Sequence, residues 1–216
     1  MNLHGKIIID FDDVLAETSK ALYLHIKFMW PMYCPNIKDL PIDLDVTKRE
    51  HKDIMRDIVK DDITDERFLG LISTLFSNYY NNPGAYTQYF KTTKLYDSIM
   101  SSEVLLSGNK IDKIYILTGS FNDDDYKVKY DVLKELFSNE KIEIIRVEDK
   151  ESDVIKKLDW NLYITDNKNV IKHLIEDPDY NISEKEFLVL DRPYSKLEQK
   201  EEVLIEEKGA TINYYK

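Results

Sequence analysis

The sequence predicts an α/β protein in which a parallel sheet carries a mainly helical cap inserted after its first strand. Three observations lead there. Short apolar runs rich in Ile, Val, Leu and Tyr occur at residues 6–9, 113–117, 142–147, 162–165 and 187–190, each bounded by charged or turn residues. Stretches with helical spacing separate the later runs, and strands alternating with helices argue a Rossmann-like sheet with right-handed crossovers. The first two runs, however, lie about 95 residues apart, where a crossover needs only about a dozen. That surplus is the cap.

Taken in order, Ile7, Ile8 and Ile9 form a β-branched run of the kind buried in parallel sheets, ending abruptly at Asp10. Residues 16–29 read as a helix stopped by the breaker-rich Trp30-Pro-Met-Tyr-Cys-Pro. Residues 47–61 are amphipathic and strongly charged, and Thr64 is placed to cap a helix running through residues 75–80. Asn81-Asn-Pro-Gly reads as a turn, after which residues 93–106 resume helical spacing and return the chain to the sheet. Beyond the second strand, Tyr126, Val128, Tyr130, Val132, Leu133, Leu136 and Phe137 mark a helix over 125–137. Residues 170–175 mark another, ended near Asp177-Pro178. The expected organisation is a core of residues 1–16 and 108–216 with a cap of 17–107.

Composition narrows the function. A chain of 216 residues holds one core domain of roughly 150 residues plus a sizeable insertion. Apolar content of 43%, with Tyr 15 and Phe 8, supplies a globular core. A formal net charge of −11 offers no basic stripe, which argues against general nucleic-acid binding. A small anionic substrate stays open, since a metal and a lysine or two reverse the potential locally. Cys34 is the only cysteine, so no disulfide forms within the chain and a reducing, cytoplasmic setting is expected. No run approaches the roughly 20 apolar residues of a membrane span, and no signal peptide is visible.

The chemistry concentrates at strand ends. Asp10 and Asp12 sit two apart, so an extended backbone points both side chains the same way. Two carboxylates converging there repel unless a cation or proton lies between them, and open α/β sheets bind ligands at such ends. The pair alone also suits an acidic turn or a helix cap. Thr118 and Gly119 end the second strand, where a hydroxyl can donate to a phosphate oxygen and a glycine amide can approach closely. Positive charge is needed beside an anionic substrate; Lys150, which follows the third strand, is the first choice, with Lys127 and Lys129 near a helix start as alternatives. Asp166 ends the fourth strand and precedes a helix, so it reads as a metal ligand or as an N-cap. His4, His25, His51 and His173 show no ligand spacing. Asn122 and the acids after it read as a loop capping the next helix.

As an ordered set, the strand ending in Asp10-Phe-Asp12, then Thr118, a lysine and Asp166, resembles the motifs of the haloacid dehalogenase-like phosphohydrolase superfamily. The resemblance covers residues 6–18 and roughly 112–196, and it implies a HAD-like core with a lid inserted after the first strand. One departure is Thr165, standing where relatives commonly carry the first of two consecutive acids. The resemblance implies Asp10 as nucleophile through an aspartyl-phosphate and Asp12 as general acid and base. It also implies Mg²⁺ held by an Asp10 oxygen, the Asp12 carbonyl and Asp166, with Thr118, Gly119 and Lys150 on the phosphoryl oxygens. Phe187-Leu-Val-Leu-Asp-Arg-Pro-Tyr is similar to the late strand and turn of the 5′(3′)-deoxyribonucleotidase branch, which implies a deoxynucleoside monophosphate as substrate. A sugar phosphate or other small phosphomonoester is the enzymatic rival. A catalytically silent protein binding a nucleotide or a partner through the same pocket is the alternative of another class.

Overall fold

The computed structural model describes residues 3–37, 39–40, 51–89, 91–100, 111–119, 123–148, 150–192 and 194–216. Its strands are β1 (Gly5–Asp10), β2 (Ile111–Gly119), β3 (Ile142–Val147), β4 (Leu162–Thr165), β5 (Glu186–Leu190) and β6 (Thr211–Tyr215). Between β1 and β2 lie α1 (Thr18–Tyr33), α2 (His51–Val59), α3 (Asp65–Tyr80), α4 (Pro83–Tyr89) and α5 (Lys94–Met100). The later helices are α6 (Asp123–Leu136), α7 (Glu151–Lys156), α8 (Lys168–Glu176) and α9 (Gln199–Glu207). Positions 47–50 and 101–106 of two expected helices, together with Phe90, Ser120 and Asn122, lie outside the described residues.

All six strands pair in parallel, in the order β3-β2-β1-β4-β5-β6. The winding reverses at β1, so the carboxyl end of β1 faces the crevice in which such sheets take ligands. Alternation divides the buried strand residues between two layers. Ile7, Ile9, Ile114, Ile116 and Ile164 pack with Leu133 and Phe137 of the α6 region and with Leu95 and Ile99 of α5. Ile8, Leu117, Tyr163, Phe187 and Val189 pack with Ile155 of α7, Leu174 of α8 and Ile205 of α9. Strands buried on both faces explain why β1 and β4 read as unbroken apolar runs.

A third cluster belongs to the inserted helices, where Leu22, Ile26 and Trp30 of α1 meet Met55 and Val59 of α2 and Phe68, Ile72, Leu75 and Tyr79 of α3. Thr64 caps α3 as its sequence implies, its hydroxyl accepting from Arg67 N at 3.4 Å. Helix α1 passes Pro31 and ends at Tyr33, later than the breaker signal suggests. Burial of Trp30 and Cys34, with Cys34 N donating to Trp30 O at 2.8 Å, holds that last turn. The chain leaves the sheet at Ala16 and returns beside it, Glu17 N donating to Lys91 O at 2.9 Å and Thr93 N to Leu15 O at 3.0 Å. Leu95 and Ile99 of α5 pack directly against the strands. Among the described residues, no helix is long and apolar enough to cross a membrane.

Candidate active site

Asp10 closes β1, and Phe11 N extends the ladder one step to Leu117 O at 2.8 Å. The chain then turns sharply, with Leu15 N and Ala16 N both donating to Phe11 O and Asp13 in the left-handed region at φ 59°. The Asp13 carboxylate accepts from Ser19 N at 2.8 Å and from the Ser19 hydroxyl. Glu17, at the N-cap position of α1, makes no side-chain cap, so Asp13 supplies that bond from upstream. The turn thus fixes where Asp12 points.

Around this strand end lies a cavity of about 280 Å³ lined by Asp10, Asp12, Asp13, Leu117, Gly119, Val147, Glu151, Asp166 and Asn167. Asp10 is only 8% exposed. The Tyr163 hydroxyl stands 3.0 and 3.1 Å from its two oxygens and 2.7 Å from Glu151 Oε1. Burial first, then the Glu151 carboxylate, raises Asp10 well above the usual carboxylate range, while a hydrogen bond from Thr165 acts the other way. Burial likewise lifts the Tyr163 phenol, reinforced by Asp10 and Glu151.

Asp12 is more open, its side chain 36% exposed. Lys129 Nζ lies 3.2 Å from each of its oxygens and donates to Gly119 O at 2.8 Å. Thr118 Oγ1 donates to Asp12 Oδ2 at 3.3 Å. Lys129 is 4% exposed, and its ammonium lies 5.5 Å from the centroid of the Tyr80 ring, which brings an inserted helix to the site. A Cβ at Gly119 would meet nothing within 4 Å, so this glycine leaves the cavity wall low without relieving a clash.

The structure thus brings Asp10, Asp12, Thr118, Gly119 and Asp166 together. It does not bring Lys150: that side chain is exposed at the N-cap of α7, and its neighbour Glu151 lines the cavity instead. Lys127 is exposed as well. Of the three lysines considered, Lys129 is the one against the Asp12 carboxylate. A signal for it existed, since Lys129, Leu133 and Phe137, all buried, recur every fourth residue along α6 and just past its end. Asn167, not Asp166, caps α8, accepting from Asn169 N at 3.2 Å, which leaves Asp166 to the cavity. Thr165 is fully buried, and its hydroxyl accepts from Asn167 N at 2.8 Å. Tyr163 and Glu151 carry no sequence signal of their own, whereas Tyr194 closes the Asp-Arg-Pro-Tyr run noted in the sequence.

Among the described residues, no three acidic, His or Cys side chains converge closely enough to form a metal cage by themselves. Five carboxylates nevertheless line one small cavity. That donor chemistry suits a hard cation of the magnesium kind, which takes few protein ligands and completes its shell with water and phosphate oxygens.

Burial raises Asp166 to about 6, while the Tyr194 hydrogen bond opposes the rise. A carboxyl raised in the folded state contributes stability that is present below its ordinary value of 3.8 and lost as pH climbs through about 6. In metal-free buffer, Asp166→Asn is expected to escape that decline, a relative gain of up to about 3 kcal/mol by pH 7. Calorimetric melting from pH 4 to 7 checks it; parallel curves for variant and parent would contradict the burial account.

No protein-family model matches the sequence, and no curated protein matches it either. Solved structures do resemble the fold. A protein of Bacteroides fragilis described as a haloacid dehalogenase-like hydrolase superposes with a TM-score of 0.55 at 14% identity, over 97% of this chain and 96% of that one. A protein of Clostridium difficile described as a phosphatase gives 0.54 at 12% identity, over 99% and 95%. A haloacid dehalogenase-like family hydrolase of Streptococcus pneumoniae gives 0.51 at 12% identity, over 99% and 94%. The chain has the haloacid dehalogenase-like fold, a parallel six-stranded α/β sheet of Rossmann type.

Proposed function

We propose that the protein is a magnesium-dependent phosphomonoester hydrolase that acts through an aspartyl-phosphate on Asp10. One observation carries the reading: Asp10, Asp12 and Asp166 share a single cavity at the end of β1, with Lys129 bound to Asp12. Asp10 attacks phosphorus, which splits one hard displacement into two easier ones. Asp12 protonates the leaving alkoxide and then takes a proton from the hydrolytic water, so the two carboxylates divide the work. Lys129 holds the Asp12 carboxylate in place. Thr118 and the Gly119 amide would hold the phosphoryl oxygens. Lys150, the cation first expected there from the sequence, is exposed at the N-cap of α7, and its part in phosphate binding is left to the kinetic comparison with Lys129. Asp10, the Asp12 carbonyl and Asp166 would hold Mg²⁺, which when bound neutralises charge on the phosphoryl group.

The substrate read from the turn after β5 is a deoxynucleoside monophosphate, as in the 5′(3′)-deoxyribonucleotidase branch. The inserted helices form the lid, residues 17–107 in the sequence division. The test is a phosphate-release assay with Mg²⁺ across deoxynucleotides, ribonucleotides and sugar phosphates. Turnover is expected with Mg²⁺ and not with chelator, fastest on deoxynucleoside monophosphates. A preference for sugar phosphates would keep the hydrolase and remove the nucleotidase. No turnover of any ester by folded protein would leave a silent binder.

A further inference from the structure

We propose that Arg192 and Tyr194, which follow β5, form a positioning clamp that sets Asp166 against the turn following Asp12. Tyr194 holds the Asp166 carboxylate and Arg192 holds the main chain at Asp13; the inference rests on the reading of Asp166 as a magnesium ligand. The Tyr194 hydroxyl donates to Asp166 Oδ2 at 2.8 Å. Arg192 Nη1 donates to that same hydroxyl oxygen at 3.1 Å, while Nη2 donates to the Asp13 carbonyl. One guanidinium therefore ties the loop after β1 to the loop after β4. Its planar fork suits this task because both donors are held at a fixed separation.

Each end of the clamp is anchored. Ser195 is fully buried; its hydroxyl oxygen accepts from Arg192 N at 3.0 Å, and its own N–H donates to the Arg192 carbonyl at 3.0 Å. Asp191 N donates to Tyr215 O at 2.7 Å, joining the turn to the end of β6. At the other end, Asp13 holds a left-handed φ of 59°, a conformation a non-glycine residue keeps only when its surroundings enforce it. Arg192 on the Asp13 carbonyl and Ser19 on its carboxylate provide that enforcement. Asp12 is the preceding residue, so the same contact steadies its carbonyl. Outer partners of this kind fix how a ligating carboxylate is turned, and losing one typically weakens metal affinity 10–100-fold.

The test is calorimetric titration of Mg²⁺ into the full chain, with metal-free melting temperatures measured in parallel to separate binding from folding. Tyr194→Phe is expected to weaken Mg²⁺ binding about 10-fold or more, with most of kcat regained at saturating Mg²⁺. Arg192→Gln is expected to weaken binding too, and Arg192→Lys not to rescue it, since a single ammonium cannot reach both partners. Parental Mg²⁺ affinity in Tyr194→Phe and Arg192→Gln, while Asp166→Asn loses binding, overturns the clamp and leaves Asp166 a ligand. Parental affinity in Asp166→Asn overturns the ligand assignment and the clamp with it.

Discussion

Asp10→Asn is expected to abolish phosphomonoester turnover, by about 10⁴-fold or more, while raising the melting temperature of the metal-free protein. Both effects follow from one location. The Asp10 carboxylate is nearly sealed from water and faces Glu151, so its ionised form is disfavoured in the fold. Its folded pKa lies above the unfolded one, and the stability linked to its proton is lost as pH rises past the ordinary carboxylate range. Asparagine keeps the shape and an acceptor for the Tyr163 hydroxyl, adds a donor toward Glu151, and carries no charge to desolvate. It cannot attack phosphorus. Hydrolysis at the parent rate would place the nucleophile elsewhere, and a lower melting temperature would contradict the account of burial.

Lys129→Met is expected to lower kcat about 10²–10³-fold with a smaller change in KM. Methionine matches the length of the stem but leaves the Asp12 carboxylate without its cation and takes from Gly119 O its 2.8 Å donor. It also removes the charge over the Tyr80 ring, worth about 0.5–1 kcal/mol. The split between constants distinguishes the two lysines. A group acting on the general acid changes kcat, whereas a group holding the phosphate in ground and transition states alike changes KM. Lys150→Met is therefore expected to raise KM. A Lys129→Met enzyme with parental kcat would remove Lys129 from the chemistry and leave Lys150 as the cation that matters.

The parts of the molecule legible in the sequence are those whose physics is local. Ile7–Ile9 and residues 162–165 are buried on both sides, so unbroken apolar runs betray them. Thr64 announced α3 through its cap, and the Asp10-Phe-Asp12 spacing announced the cavity. Strand β6 and helix α9 left weaker traces. Thr211–Tyr215 is an edge strand with alternating partial exposure and an asparagine at its centre, and Gln199–Glu207 is charged around most of its circumference. Both are held by tertiary contacts with β5 and α8 that no local pattern encodes. The site divides the same way. Asp10, Asp12, Thr118 and Asp166 lie at or within two residues of strand ends and could be placed by that rule. Tyr163 and Lys129 reach Asp10 and Asp12, and Glu151 reaches the cavity, from a strand interior and two helices, so only the register of β1 with β4 and the seating of α6 and α7 decide that they arrive.

The paired strands of chain at Ala16 and Thr92 have a consequence for how such a molecule can be rebuilt. They are joined by an antiparallel bridge, with the Thr93 hydroxyl donating to Val14 O at 2.7 Å. The segment carrying α1 to α4 thus joins the sheet at two adjacent points, while its helices also pack against Val128 and Val132 of α6, and the loop that closes those points costs little more when it is long than when it is short. None of those helices contributes a strand or interrupts a crossover of the sheet. Another helical insert joined at Ala16 and Thr92 is expected to leave the strand order in place, but it must replace the packing that α1 to α4 give Val128 and Val132 of α6 and the Tyr80 ring beside Lys129.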